Sequence, residues 1–184
     1  MHNTINISSQ NLTLAQARNS LEGNNSGYFQ IVSFYVASEA GNRPNATGLT
    51  IQFDPRLTVL GADEGYVFNS KVYNSDGRPV TSRGRGASDQ EIVDRENNIF
   101  FATTASGDTF TEDGYLYFAM VQFPPETAVG DHFAINVLLE DESTPPVPYE
   151  FLFCDSSDTL SDQTADMTWT KANGIINGGF TIIE

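Results

Sequence analysis

Apolar and polar residues alternate with a period of two through much of the chain, which predicts β-strands. The alternation is clearest at 48–53, where Leu49, Ile51 and Phe53 are separated by polar residues. Turn-forming residues separate the runs at short, fairly regular intervals, so the sequence predicts an antiparallel β-sandwich. Comparable runs predict further strands at 29–36, 57–59, 98–102, 115–123, 133–139 and 179–183.

Two short segments have helical character. Leu14, Ala17 and Leu21 have the spacing of one helix face, although the residues at 12–14 also fit a strand. The sequence Ser-Asp-Gln-Glu at 88–91 has the form of a capping box, which predicts that a short helix begins there.

The organisation of the chain is that of a single domain over 1–184, long enough to bury a sizeable core. Two segments rich in glycine, proline and charged residues, 71–86 and 141–148, interrupt the strand pattern and are interpreted as insertions. The polar residues 1–10 are expected to form a frayed tail. Because the sequence stops within a predicted strand at 181–184, we interpret it as a module of a longer protein.

The charge balance excludes two classes of partner. The chain has 24 acidic and 9 basic residues, for a net charge of −15. A nucleic-acid-binding protein needs a basic face, and an anionic membrane surface repels so acidic a chain. No apolar run approaches the roughly 20 residues of a membrane span. The single cysteine, Cys154, excludes an intramolecular disulfide and a cysteine-rich zinc site.

No motif for catalysis or metal binding stands out. With 24 carboxylates some pair will lie at glycosidase spacing by chance, so these residues are interpreted as solvated surface acids. Cys154 lies in no nucleophile motif and is interpreted as a small buried apolar residue. The Asp- and Ser-rich run at 155–162 has Leu160 and Asp166 where an EF-hand requires Gly and Glu, so it is interpreted as a polar loop.

Phe100 is the aromatic residue with the most informative position. Its neighbours Ile99 and Phe101 are in phase with the predicted strand at 98–102 and are expected to face the core, which turns Phe100 outward. An outward Phe is either an anchor for a partner protein or is covered by an inserted loop, and the sequence favours neither interpretation.

Several segments, taken in their order along the chain, resemble those of cohesin modules. The first shared segment is an alternating strand that is followed by an aromatic residue, Asp-Pro and Leu. A later strand is followed by a polar loop and Asp-Gly. A turn of small residues and a Gly-rich start of the last strand complete the resemblance. The resemblance covers most of 11–184, and the length is similar to the longer ruminococcal cohesins. The matching segments are 48–59, 98–102, 113–114, 123–131 and 177–182.

The resemblance implies a nine-stranded antiparallel β-sandwich with jelly-roll topology and no catalytic activity. Cohesins are modules of bacterial cellulosome scaffoldins, in which strands 8, 3, 6 and 5 form the face that binds a dockerin. The implied partner is therefore the calcium-loaded dockerin of an enzyme or of another scaffoldin. Calcium belongs to that dockerin, and no cofactor is expected on this chain. The resemblance further implies an extracellular or cell-surface location and a monomer in the absence of the partner.

Carried over position by position, the resemblance gives a set of candidate partner-binding residues. Strand 5 is expected near 90–93, and part of the eighth strand near 151–160. The outward positions of strands 3, 5 and 6 are then Thr50, Gln52, Ile92, Asn98, Phe100 and Thr103.

Two other functions are compatible with a β-sandwich. A carbohydrate-binding module presents a platform of exposed Trp and Tyr side chains, whereas this chain has one tryptophan, Trp169, and its aromatic residues are mostly Phe. A hydrolase would require convergent carboxylates with shifted pKa values in a cleft, and no motif points to one.

Overall fold

The computed structural model describes residues 3–19, 30–38, 44–61, 88–105, 114–138, 151–155 and 175–184. The insertions predicted at 71–86 and 141–148, the polar loop beyond Asp155 and Trp169 lie outside these residues. The elements in chain order are β1 (Asn3–Ile7), β2 (Ser9–Leu12), α1 (Leu14–Asn19), β3 (Gln30–Ser38), β4 (Pro44–Phe53), β5 (Thr58–Val59), β6 (Ser88–Asp94), β7 (Ile99–Ala105), β8 (Gly114–Gln122), β9 (His132–Leu138), β10 (Phe151–Asp155), β11 (Ile175–Ile176) and β12 (Gly178–Ile182).

The strands form two sheets, which confirms the predicted β-sandwich. One sheet has the order β11-β1-β3-β8-β5. The other has the order β2-β12-β9-β4-β7-β6, and β10 also pairs with β4. The pairs β1–β11 and β2–β12 are parallel, and the other pairs between described strands are antiparallel.

Phenylalanine rings join the two sheets at the centre of the core. Phe123 follows β8 of the five-stranded sheet, and its ring centroid lies 5.1 Å from that of Phe133 and 5.2 Å from that of Phe180. The latter two belong to β9 and β12 of the other sheet, and all three side chains are at most 1% exposed. Both contacts are edge-to-face, a geometry worth about 0.5–1.5 kcal/mol per pair beyond the burial of area.

The period-two prediction is confirmed where the strands are long. In β9, Phe133, Ile135 and Val137 are all buried and alternate with residues that are more exposed. In β8, Val121 is completely buried whereas its neighbour Met120 is 44% exposed. Each strand therefore presents one face to the core, as alternation requires.

Two predictions about local structure are wrong because strand pairing overrides local signals. Residues 3–7 and 9–12 are paired strands rather than a frayed tail: β1 lies between β3 and β11, and β2 pairs with β12. The segment at 88–91 belongs to strand β6, not to a helix, because it pairs with β7. A capping box carries only about 1 kcal/mol, which a ladder of sheet hydrogen bonds exceeds.

Of the two alternatives that the sequence left open near residues 14–21, the helix is observed, as α1 over Leu14–Asn19. A capping box that the sequence analysis missed begins it: the Thr13 hydroxyl accepts from the Gln16 amide (3.2 Å), and the Gln16 side-chain oxygen accepts from the Thr13 amide (2.9 Å). These two bonds satisfy donors that the first turn of a helix leaves unpaired.

Strands β9 and β10 continue one another along the same edge of β4. Leu138, the last residue of β9, pairs with Thr50, and Phe151, the first of β10, pairs with Leu49. The register therefore continues from one strand into the next, although twelve residues, 139–150, separate them in sequence. This division is one reason why the described part of the chain contains twelve strands where nine were predicted.

We expect that residues 139–150 can be removed with retention of the fold. Joining Leu138 directly to Phe151 requires one peptide bond between positions that already face consecutive residues of β4. The shortened protein should keep β10 in place, because the direct join preserves the pairing of both strands with β4.

Chemical denaturation of the shortened protein checks this expectation. The matched control removes 138–150, which shifts β10 by one residue and exchanges its two faces. The control should be much less stable, and equal stability of the two deletion variants would contradict the continuous register.

Candidate protein-binding face

The outer face is the side of β9, β4, β7 and β6 opposite the core. Paired residues in neighbouring strands share a face, so the ladder identifies its members row by row. The core side is fixed by Ile51, which is completely buried and pairs with Val137 and Phe100. The two adjacent rows on the outer side are Leu138–Thr50–Phe101–Glu91 and Asn136–Gln52–Ile99–Asp94.

Thr50 and Gln52 lie on the outer face, at the positions that alternation predicts. Thr50 pairs with Leu138 on one side and Phe101 on the other, and its short side chain is only 2% exposed. The half-buried Gln52 side chain donates a hydrogen bond to the carbonyl of Asn97 (3.2 Å). Their part in binding a partner stays a prediction.

The prediction that Phe100 points outward is wrong. Phe100 is 0% exposed, and its ring lies edge-on to that of Phe53 at a centroid distance of 6.0 Å. It pairs with Ile51, so Ile99 and Phe101 take the opposite side of the sheet, where Phe101 is half-buried and Ile99 is only 7% exposed. Three consecutive apolar residues give no phase of their own, and the partner strand decides which face each one takes.

Asn98 has a structural role and does not lie on the outer face. Its side chain is almost buried, at 9% exposure, and its amide donates to the carbonyls of Asp54 (3.1 Å) and Leu57 (2.8 Å). Its φ of 53° is left-handed, a conformation that Asn tolerates better than most residues. The Phe53 amide in turn donates to the Asn98 carbonyl (3.0 Å), so this residue links the turn after β4 to the start of β7.

Ile92 and Thr103 take opposite sides of the sheet in the strand register. Ile92 is 38% exposed in the edge strand β6, but it pairs with Phe100 and is therefore on the core side of the sheet. The bulge between Ile92 and Asp94 lies beside it, so Ile92 borders the outer face instead of belonging to it. Thr103 takes an outer position in the register, between Gly48 and Asp89.

An ion pair that the sequence analysis missed joins the turn after β4 to β9. The Arg56 guanidinium donates to both carboxylate oxygens of Asp54 at 3.0 Å and to the carbonyl of His132 at 2.5 Å. The guanidinium also lies over the Phe133 ring, 4.3 Å from its centroid. The signal available in the sequence was Asp-Pro-Arg directly after a buried strand.

The Asp54 carboxylate has a pKa below its usual value. Burial by itself raises the pKa, but the hydrogen bonds and positive charge of Arg56 outweigh burial and lower it. For Arg56, the hydrogen bond to Asp54 raises the pKa further. The pair is therefore fully ionised at neutral pH and holds the turn at the end of β4.

The outer positions of β9, β4 and β7 are apolar, hydroxyl and amide residues, and those of β6 are acidic. In the described ranges, no group of three or more His, Cys, Asp or Glu could hold a metal ion. Within the same part of the chain, no helix is long and apolar enough to cross a membrane.

Comparisons with known proteins show similarity in structure alone. No protein-family model matches the chain, and no curated protein matches it. Solved structures do match over nearly the whole chain, and the similar structures are cohesin modules.

Three examples give the extent of the similarity. A type III cohesin from the cell-surface anchoring scaffoldin of Ruminococcus flavefaciens is 24% identical, with a TM-score of 0.68 over 100% of this chain and 88% of that one. The sixth cohesin of scaffoldin B from Acetivibrio cellulolyticus, in complex with a Cel5 dockerin, is 12% identical, with a TM-score of 0.60 over 99% of both chains. A non-cellulosomal cohesin from Archaeoglobus fulgidus is 14% identical, with a TM-score of 0.52 over 100% of this chain and 93% of that one. The chain therefore has the cohesin fold.

Substitutions at Asn98 should separate its two contributions to stability. Asn98→Gly removes both side-chain hydrogen bonds but permits the left-handed backbone, and we expect a loss of about 2 kcal/mol. Asn98→Ala adds the strain of a left-handed Ala, so its loss should be larger by about 1 kcal/mol. Chemical denaturation measures both, and equal losses would contradict the role of the backbone conformation.

The contribution of the Asp54–Arg56 pair should depend on pH. A carboxylate whose pKa is lowered by folding stabilises the folded state above its usual pKa of 3.8, and this contribution is lost as the pH falls through the folded-state value. Asp54→Asn should therefore cost about 1 kcal/mol at pH 7, a modest value because Arg56 is 47% exposed and accessible to salt.

Denaturation curves at several pH values provide the measurement. The difference between Asp54→Asn and the unmodified protein should vanish at pH values well below 3.8. Glu96→Gln removes an exposed carboxylate and serves as the control, with little effect at pH 7. A difference for Asp54→Asn that persists unchanged in acid would show that the charge is not responsible.

Proposed function

We propose that this module binds a dockerin through the outer face of β9, β4, β7 and β6, as a non-catalytic component of an extracellular scaffoldin. The observation that carries the proposal is the cohesin fold, matched over the full length of the chain with a TM-score of 0.68. Several of the similar cohesins are in complex with dockerins, which supports a dockerin as the partner.

The order of strands supports the choice of the outer face. In the cohesin resemblance, the dockerin-binding face consists of strands 8, 3, 6 and 5. Their counterparts by chain order and pairing are β9, β4, β7 and β6, which are consecutive in the larger sheet. The opposite side of the same strands is filled by the core. On the outer side, Gln52, Phe101 and Leu138 are partly exposed, whereas Thr50 and Ile99 are buried.

The structure changes the residues proposed to contact the dockerin. Gln52 and Thr103 remain, because each takes an outer position in the ladder. Thr50 also takes an outer position, but at 2% exposure it supports its neighbours on the face and is not itself a contact residue. Leu138 and Phe101 are added, since both are half-buried and flank Thr50 on the same face. Phe100 and Asn98 are withdrawn, because their side chains are directed into the protein, and Ile92 is kept only as a residue at the border.

Calcium has a defined place in this proposal. The dockerin carries it, and this chain supplies a protein surface with no cofactor of its own. Binding should therefore require calcium even though the metal acts on the partner. The proposed location is extracellular or at the cell surface, by similarity to the anchoring scaffoldin cohesin of Ruminococcus flavefaciens.

Calorimetric titration against a panel of dockerins, with calcium and with a chelator, tests the proposal. We expect one-to-one binding of at least one dockerin in calcium and none in chelator. Phe101→Ala should weaken that binding by at least about 1 kcal/mol, or about fivefold in Kd, because a half-buried aromatic residue on the face has the character of an interface anchor.

Met120→Ala is the matched control for Phe101→Ala. Met120 is an exposed apolar residue on β8 of the other sheet, so its removal should leave the affinity unchanged. Equal effects of both variants would contradict the assignment of the face. The absence of binding across the panel by the folded module would overturn the dockerin proposal, and binding to an insoluble polysaccharide would then favour a carbohydrate-binding module.

A further inference from the structure

Charged residues are distributed very unevenly among the described strands. They occur only in β6, which has the sequence SDQEIVD, and at Asp155, the last residue of β10. The other described strands contain no Asp, Glu, Lys or Arg, although 18% of the whole chain is charged. One strand of the proposed binding face is thus acidic, and the other three carry no formal charge.

The three acidic residues of β6 all take outer positions in the register. Asp89 pairs with Thr103, Glu91 with Phe101, and Asp94 with Ile99. The strand lies at one end of the larger sheet, so its acidic residues border the outer face on one side only. Across β9, β4 and β7, the outer positions are apolar, hydroxyl and amide residues up to that border.

This arrangement resembles the anatomy of a protein interface. Interface centres are depleted of charged residues and enriched in apolar and aromatic ones, whereas charges lie at the rim. Here Leu138 and Phe101, on either side of the buried Thr50, form the uncharged centre, and β6 forms a rim of negative charge. A partner that fits both parts has an apolar contact surface with basic side chains on one side of it.

Building on the proposed function, we propose that the dockerin bound by this module places basic side chains beside β6 and apolar side chains over Leu138 and Phe101. The acidic rim then determines the orientation of the dockerin relative to the strand order. A dockerin rotated by 180° about the normal to the outer face would lose the charge contacts with β6. Opposite charges at a rim act chiefly on the association rate and on the choice of partner.

Association kinetics with a dockerin that binds in the calorimetric panel test this inference. The β6 variant combines Asp89→Asn with Glu91→Gln. The control variant combines Glu126→Gln with Glu184→Gln, which changes the net charge equally at exposed positions outside the four strands of the outer face. Rates are measured between about 0.01 M and about 1 M salt, over which the Debye length falls from about 30 Å to about 3 Å.

The two variants should differ most at low salt. We expect the β6 variant to associate at least about threefold more slowly than the control variant and to depend less on salt, because it has lost the local attraction. Equal rates for the two variants would overturn the inference, since the total charge would then explain the whole effect. An association rate of the unmodified module that does not depend on salt would overturn it as well.

A charge exchange tests the orientation directly. Each basic residue of that dockerin is replaced by Glu in turn, and each variant is titrated against the unmodified module and against Glu91→Lys. We expect one dockerin variant to bind the unmodified module at least about fivefold more weakly and to recover with Glu91→Lys. Recovery with none of them would contradict the proposed orientation.

An acidic edge strand also has a purely structural use, because charges on an edge discourage strand pairing between molecules. Light scattering of the β6 variant separates the two roles. If this variant self-associates while the kinetics of its monomer match those of the control variant, the charges protect the edge and the inference fails. If the unmodified module binds no dockerin at all, the proposed function fails and this inference with it, whereas normal binding with equal variants rejects this inference alone.

Discussion

The hydrogen bonds of Asn98 determine which side chains the large sheet presents to the outside. Its amide donates to the carbonyls of Asp54 and Leu57, and its own carbonyl accepts from Phe53, so the start of β7 is held against the end of β4. From this point Phe100 pairs with Ile51 and enters the core. In a structure with a period of two, a shift by one residue would expose Phe100 and bury Phe101. The outer face therefore depends on one turn in which the left-handed backbone and the buried amide support each other.

The packing of the core also disfavours a β7 that is shifted by one residue. Phe100 packs on Phe53 within the larger sheet, whereas Phe123 joins that sheet to the smaller one through Phe133 and Phe180. A shifted β7 would bury Phe101 in place of Phe100, so its cost would be the lost edge-to-face contact with Phe53 and the poorer fit of the core, about 1–3 kcal/mol. Turn geometry and core packing thus favour the same register, which is the kind of agreement between local and global preferences that specifies a single fold.

Much of the fold could be predicted from the sequence, because alternation in β4, β8 and β9 gives both the strands and their faces. The face of β7 could not, since Ile99, Phe100 and Phe101 are all apolar and only the register with β4 distinguishes them. The first ten residues look like a polar tail because β1 and β2 are short, and their pairing with β3, β11 and β12 is non-local. The same limitation affected the candidate site. Thr50 and Gln52 were assigned from a well-alternating strand, whereas Asn98 and Phe100 were assigned from one without phase.

The core positions specify the fold and the outer positions do not, so the structure can be retained at low sequence identity. The matched cohesins share only 10–24% of their residues with this chain, yet they cover nearly its whole length. A sandwich of this kind requires alternating apolar positions and a few fixed turns, and many sequences meet those requirements. The fold places much weaker demands on the outer face, where Gln52, Phe101 and Leu138 lie. In the proposed function, these positions and the acidic strand β6 select the dockerin, so closely similar backbones can recognise different partners.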